Sequence, residues 1–190
     1  MKSNTIFVRF IFKLKQKFKY LLVLLCVVSF GFQQPQNFDT NAKMRACFIY
    51  GFTRSFEWPE SKKASTFVIY VVGNSDALVA QLKNLAATKK VGTQDIEIKN
   101  SGSFDPSIAS NIIYFAPDNE LKSVGDAASK NKNKGTLVVA ETGGAAKSGA
   151  SINFIFIENK LKFEYNKNSA VKAGLETKED FKKLAAVVID

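Results

Sequence analysis

From residue 41 onward, solid apolar runs alternate with amphipathic stretches. TFVIYVVG from Thr66, NIIYFA from Asn111 and TLVVA from Thr136 are β-branched or aromatic almost throughout. Runs of this kind predict strands buried on both faces. Between them, Leu78, Leu82 and Leu85 recur at i, i+4 and i+7 behind Ser75, a residue suited to cap a helix. After the turn at Pro117-Asp118, Leu121, Val124 and Ala128 line one side of another helix. The longest helical pattern starts at Asn41, AKMRACFIYGFTRSFEW, and stops at Pro59, whose ring cannot continue the ladder. Ala46, Ile49, Tyr50, Thr53 and Phe56 form its stripe, widened by Cys47, Phe48 and Phe52. So broad a stripe implies core contact on one side and room for a partner or second protomer on the other. Weaker signals place a short strand at 94–98, one helical turn at 106–110 after Asp105-Pro106, and a short helix at 169–173.

The stretch 136–166 breaks the alternation. Its strand runs into a glycine-rich loop and then into two segments of strict period two. With Glu158-Asn159 as a two-residue turn, Phe156 faces Leu161, Phe154 faces Phe163 and Ile152 faces Tyr165. All six apolar residues then share one side, and Lys160, Lys162 and Glu164 take the other. Asn159 tolerates the positive φ of such a turn. A last helix is expected behind a Thr177/Asp180 cap, with Phe181, Leu184, Ala185 and Val188 buried. The elements predict an α/β fold: one three-layer domain, its mostly parallel sheet flanked by helices, with an antiparallel hairpin near the C-terminal end. Ligands of such sheets bind at the carboxyl ends of the strands, here Gly73-Asn74, Ala116-Pro117-Asp118 and Glu141–Gly144.

The first 36 residues change the reading of charge. Lys2, Arg9, Lys13, Lys15, Lys17 and Lys19 precede the apolar run 20–32, with no acid among them. A basic region, a short apolar core and small residues at Ser29 and Gly31 form a secretory signal, expected over 1–31 and followed by a leader at 32–40. An uncleaved amphipathic anchor is the alternative. The +10 of the whole chain comes from 27 basic and 17 acidic residues; without those six it is about +4. A nucleic-acid-binding reading loses most of its basis. Cys26 falls in the signal, which leaves Cys47 alone and no internal disulfide in the domain expected over 41–190. The chain has no histidine. Ser-His-Asp and Cys-His nucleophilic sites, imidazole bases and His-ligated zinc are thereby excluded.

The remaining candidates for chemistry are few. TGGAAKSGAS resembles a phosphate loop only in part: Lys147-Ser148 has no glycine before it, and a strand rather than a helix follows. Glu57, Glu141 and Glu164 lie nearest apolar segments, but no spacing pairs them as acid and base, so each reads as a surface or cap residue. Glu57-Trp58-Pro59 reads as a helix end with the tryptophan against the core, or as an interaction edge. No catalytic residue, cofactor or metal site is expected.

Taken in order, AKMRACFIYGFTRSFEWP, FVIYVVG, IIYF and TLVVAETGGAAKSGASINFIFIENKLKFEYN resemble the YfiR/HmsC-like family over nearly all of 42–190. The most specific parts are Glu57-Trp58-Pro59, Gly149 with Ile152-Asn153-Phe154, and Phe163-Glu164 with Asn166. The resemblance implies a periplasmic, non-enzymatic, dimeric regulator that binds the extracytoplasmic part of an inner-membrane diguanylate cyclase or histidine kinase, with effects on cyclic di-GMP and biofilm. Family members carry paired cysteines that this chain lacks, so control through disulfides does not transfer. The partner surface is expected at Phe48, Phe52, Glu57, Trp58 and Pro59 and at the rim Gly143, Gly144 and Gly149. The alternative is a small-molecule-binding protein using the carboxyl-end cleft. Neither reading involves nucleic acid, and the membrane is reached only through the partner or an uncleaved signal.

Overall fold

In a computed structural model that describes residues 40–190, the apolar runs become the middle of an eight-stranded mixed sheet. The expected signal and leader up to residue 39 lie outside the described residues. The elements are α1 (Thr40–Ser55), β1 (Phe56–Glu57), a 3-10 turn (Glu60–Lys62), β2 (Phe67–Val72), α2 (Asp76–Ala86), β3 (Lys90–Val91), β4 (Gln94–Ser101) and β5 (Ile112–Phe115). They continue with α3 (Leu121–Lys130), β6 (Leu137–Ala140), β7 (Ile152–Ile157), β8 (Lys160–Asn166), α4 (Lys167–Lys172), β9 (Glu176–Thr177), a 3-10 helix (Glu179–Leu184) and β10 (Val187–Ile189).

The sheet order is β10-β8-β7-β6-β5-β2-β4-β3. Strands β4, β2, β5, β6 and β7 are parallel, and β8 turns back against β7. The fold is α/β, mostly parallel, with an antiparallel hairpin. Every residue of β2, β5 and β6 is buried, as strands covered on both faces require. One face carries Phe67, Ile69, Val71, Ile112, Tyr114, Leu137 and Val139 beneath α1 and α2; the other carries Tyr70, Val72, Ile113, Phe115 and Val138 beneath α3.

The hairpin has the expected register: Ile152 opposite Tyr165, Phe154 opposite Phe163, Phe156 opposite Leu161. Glu158 and Asn159 both take positive φ, 50° and 58°, as a type I′ turn demands. Its apolar face is buried except at the tip, where Phe156 is exposed.

Four expectations change. The first helix ends at Ser55 rather than running to Pro59, because Phe56 and Glu57 pair with Thr177 and Glu176 in a two-stranded ribbon. Residues 106–110 form no helix; Asp105 Oδ1 accepts from Ser107 N at 2.8 Å in a local turn that goes no further. The strand expected at 94–98 extends to Ser101, held along β2. The last helix is a 3-10 helix followed by β10, parallel to β8. Thr177 caps nothing there, since its hydroxyl bonds Tyr165 Oη and its backbone belongs to β9. The apolar spacing is not all buried: Phe181 is, but Leu184 and Val188 are exposed.

The two sheet edges differ. Beyond the short β3, the outer edge of β4 carries Glu97 and Lys99, which pair with one another at 3.7 Å. At the other edge, β10 presents Val187 and Val188, both exposed.

Two glycines test this packing in opposite directions. At Gly135, φ is +64° and an added Cβ would overlap the Pro59 ring. Gly135→Ala is expected to destabilise the fold by about 1–3 kcal/mol, measured by chemical denaturation. Gly51 lies inside α1 with open space around it. Gly51→Ala is expected to stabilise by about 0.5–1 kcal/mol in the same assay.

Candidate functional site

Helix α1 is positioned by its inner stripe, Ala42, Ala46, Ile49, Phe52 and Thr53, which is buried against the sheet. Its other side does not reach solvent cleanly. Met44, Cys47, Phe48 and Gly51 form one wall of an apolar groove of about 420 Å³; Phe163, Phe181 and Leu184 form the other. Aromatic rings floor it. Phe48 stands edge-on to Phe163 at 5.9 Å, Phe52 edge-on to Phe181 at 6.0 Å, and Phe163 stacks on Phe181 at 5.5 Å. Such ring pairs hold their geometry and leave a rigid apolar surface. Cys47 is exposed on the rim and in no disulfide, and Leu184 is 66% exposed. A leucine left that open beside aromatic rings is the kind of apolar exposure that needs a reason.

A polar cluster ties the start of α1 to the carboxyl end of the sheet. Arg45 grips both carboxylate oxygens of Glu141, the residue after β6, and the Tyr114 hydroxyl donates to Glu141 Oε2 at 2.7 Å. The Arg45 guanidinium also stands over the Phe156 ring at 5.8 Å. The side chains of Arg45 and Glu141 are only 15% and 9% exposed. Glu141 is therefore not the surface or cap residue expected; desolvation at this depth requires a bidentate cation, and Arg45 supplies it. Burial raises the Tyr114 pKa above its ordinary value, and the neighbouring Glu141 carboxylate adds to the shift. Arg45 was legible in principle, as a charge three residues after buried Ala42 and four before buried Ile49.

A second set of polar contacts holds the glycine loop. Buried Asn153 accepts from Thr142 N at 3.2 Å and donates to Glu164 Oε2 at 2.9 Å. Asn166 donates to the Ala146 carbonyl at 2.8 Å and caps α4 by accepting from Ser169 N. Glu164 is thus a half-buried partner of Asn153 rather than a plain surface acid.

The residues expected to meet a partner fall in several places. Phe48 and Phe52 come together in the groove. Trp58 is buried, with its indole N–H on the Thr53 carbonyl at 3.0 Å and its ring edge-on to Phe67 at 5.0 Å. Pro59 packs on Gly135, and Glu57 is exposed in the small ribbon. Gly143 and Gly144 form an exposed rim after β6, while Gly149 faces a different cavity beside α3. The carboxyl-end crevice between β2 and β5 is filled by protein: a Cβ on Gly73 would strike Asp118 and Asn119, and Asp118 accepts from Asn74 N. Among the described residues, no group of three His, Cys, Asp or Glu side chains could hold a metal ion, and no helix is long and apolar enough to cross a membrane.

These features define an α/β domain whose open apolar surface is a helix-lined groove, with the crevice between β2 and β5 closed by side chains. A model of the YfiR/HmsC-like family matches residues 42–186, and the chain belongs to that family. Its members are periplasmic regulators of signalling rather than enzymes. No curated protein matches the chain. Among solved structures, the ABC domain from Streptococcus pneumonia in complex with L-Trp is 16% identical, with a TM-score of 0.47. That match covers 68% of this chain and 58% of the other, a likeness too loose to carry an argument.

Removing one partner of the Arg45–Glu141 pair leaves a charge stranded. Glu141→Gln is expected to cost about 2–3 kcal/mol in chemical denaturation, below the value for a fully buried pair because Arg45 keeps some exposure. Arg45→Met combined with Glu141→Leu should recover part of it, the remainder being the Tyr114 hydroxyl left without its acceptor. Tyr114 gives a pH test. Unfolded tyrosine ionises near pH 10 while folded Tyr114 stays protonated, so its contribution is complete below about pH 10 and is lost as pH rises beyond it. Tyr114→Phe should flatten the alkaline fall in denaturation midpoint; an unchanged slope would remove the tyrosine from that account.

Proposed function

We propose that the protein binds the periplasmic domain of an inner-membrane signalling protein, a diguanylate cyclase or a histidine kinase, and thereby modulates its activity. Export by the N-terminal segment would bring it to that compartment. The observation that supports this reading is the groove beside α1. Aromatic rings form its floor, Leu184 stands open at its wall, and no hydrophobic segment among the described residues covers it. Aromatic and apolar side chains in a preformed depression are what a partner's anchor residues require. The rim at Gly143 and Gly144 lies at the same end of the sheet as the Arg45–Glu141 pair and extends the proposed contact surface. Cyclic di-GMP output and biofilm formation would then be the downstream readouts if the partner is a cyclase.

A second protomer is the competing occupant, and one measurement separates the two. Titration calorimetry against the purified periplasmic domain of a membrane cyclase or kinase encoded beside this protein is expected to give saturable binding. Leu184→Lys should weaken it about tenfold or more. Lys162→Glu, on the exposed outer face of the hairpin, should leave it unchanged. Both substitutions fall at exposed positions and should alter stability by no more than about 0.5 kcal/mol. If Leu184→Lys instead abolishes self-association in sedimentation and leaves partner binding intact, the groove belongs to a homodimer and this assignment of it is wrong.

A further inference from the structure

On the α3 side of the sheet, away from the α1 groove, a second cavity of about 610 Å³ opens between the end of α3, the loop before β7, and α4. Two glycines let its walls approach. A Cβ on Gly149, where φ is +117°, would stand 2.9 Å from the Ala128 Cβ, and one on Gly125 would stand 3.2 Å from the Ser148 carbonyl oxygen. Three lysines from three segments line the cavity: Lys132 follows α3, Lys147 lies in the loop and Lys172 ends α4. Among the described residues none of the three has a carboxylate within salt-bridge distance, whereas Lys63, Lys90, Lys99, Lys122, Lys182 and Lys183 each do. Ser129, Ser148 and Ser169 share the lining. Asp190 is the one carboxylate side chain there, and it has Lys182 Nζ at 3.9 Å.

Three exposed cations from three segments converge on one concave space with Asp190 as the single opposing carboxylate, and a bound anion would draw on all three. A neutral or apolar ligand would use neither the charges nor the hydroxyl donors, and an oxyanion would use both. The volume lies within the range of small-molecule sites. We propose that this cavity binds a small multivalent oxyanion, a phosphate ester or a polycarboxylate, with Lys132, Lys147 and Lys172 supplying the charge and the serine hydroxyls orienting it. The glycine loop then contributes one wall of the site without being a nucleotide-type phosphate loop. The proposal is independent of the α1 groove and of any protein partner.

Titration calorimetry on the purified protein at fixed ionic strength provides the test, with pyrophosphate, citrate and, as a neutral control, sucrose. Saturable binding of one or both anions is expected, and their order distinguishes a phosphate from a carboxylate ligand. Each of Lys132→Gln, Lys147→Gln and Lys172→Gln should weaken binding about two- to fivefold, as for exposed charge pairs, and the triple variant by about tenfold or more. Affinity should fall as salt is raised. The three lysines are exposed, so the triple variant should keep the parent melting temperature. Absence of saturable binding at millimolar anion overturns the proposal. So does a triple variant that binds as tightly as the parent, or sucrose binding as well as the anions.

Discussion

Strands β2, β5 and β6 have no solvated face, so the chain folds only if both sides of the sheet are covered. On one side α3 and the alanines of the glycine loop suffice. On the other, α2 covers the β2–β4 end, and α1 must span from β5 to the hairpin. It does so with small residues over the strands, Ala42 and Ala46, and with aromatic rings over the hairpin. The Arg45–Glu141–Tyr114 cluster fixes where α1 begins along the strands. The groove follows from the same arrangement, because Phe48 and Phe52 on the helix meet Phe163 and Phe181 beneath it while Leu184 stands apart at the far wall.

How much of this is readable without coordinates depends on whether a residue's surroundings lie nearby in sequence. The hairpin register was readable, since a two-residue turn and period-two alternation leave one pairing that puts all six apolar residues together. The central strands were readable because their burial is complete, and no choice of face has to be made. The C-terminal segment was not. Phe181, Leu184, Ala185 and Val188 have helical spacing, but β1 and the edge of β8 offer backbone partners at Thr177 and at 187–189, and tertiary pairing outweighs local periodicity there. Glu141 was misread for a related reason: its cation lies 96 residues earlier in the chain.

Several of the residues that carry the family resemblance in the sequence turn out to be mechanical. Asn153 and Asn166 lie on the hairpin, yet their side chains reach back to the loop that precedes it, at Thr142 and Ala146, and Glu164 holds the Asn153 amide in place across the hairpin. Buried amides that use both their oxygen and their NH2 admit few substitutions, because the change strands a donor and an acceptor at once. One short stretch thus sets the hairpin, the loop and the start of α4. The carboxyl-end rim and the cavity beside α3 are opposite sides of that loop.

The unequal sheet edges bear on how the molecule stays apart from its neighbours. At β4, Glu97 and Lys99 make an incoming strand unfavourable in the middle of the exposed edge. At β10 the side chains are two valines and an isoleucine, and no charge stands on 187–189 to turn a strand away. What limits growth there is brevity: three residues offer too few hydrogen bonds to hold another chain without further contact. Solubility at that end is therefore a matter of length, and lengthening β10 by even a few apolar residues would convert a blunt edge into a template.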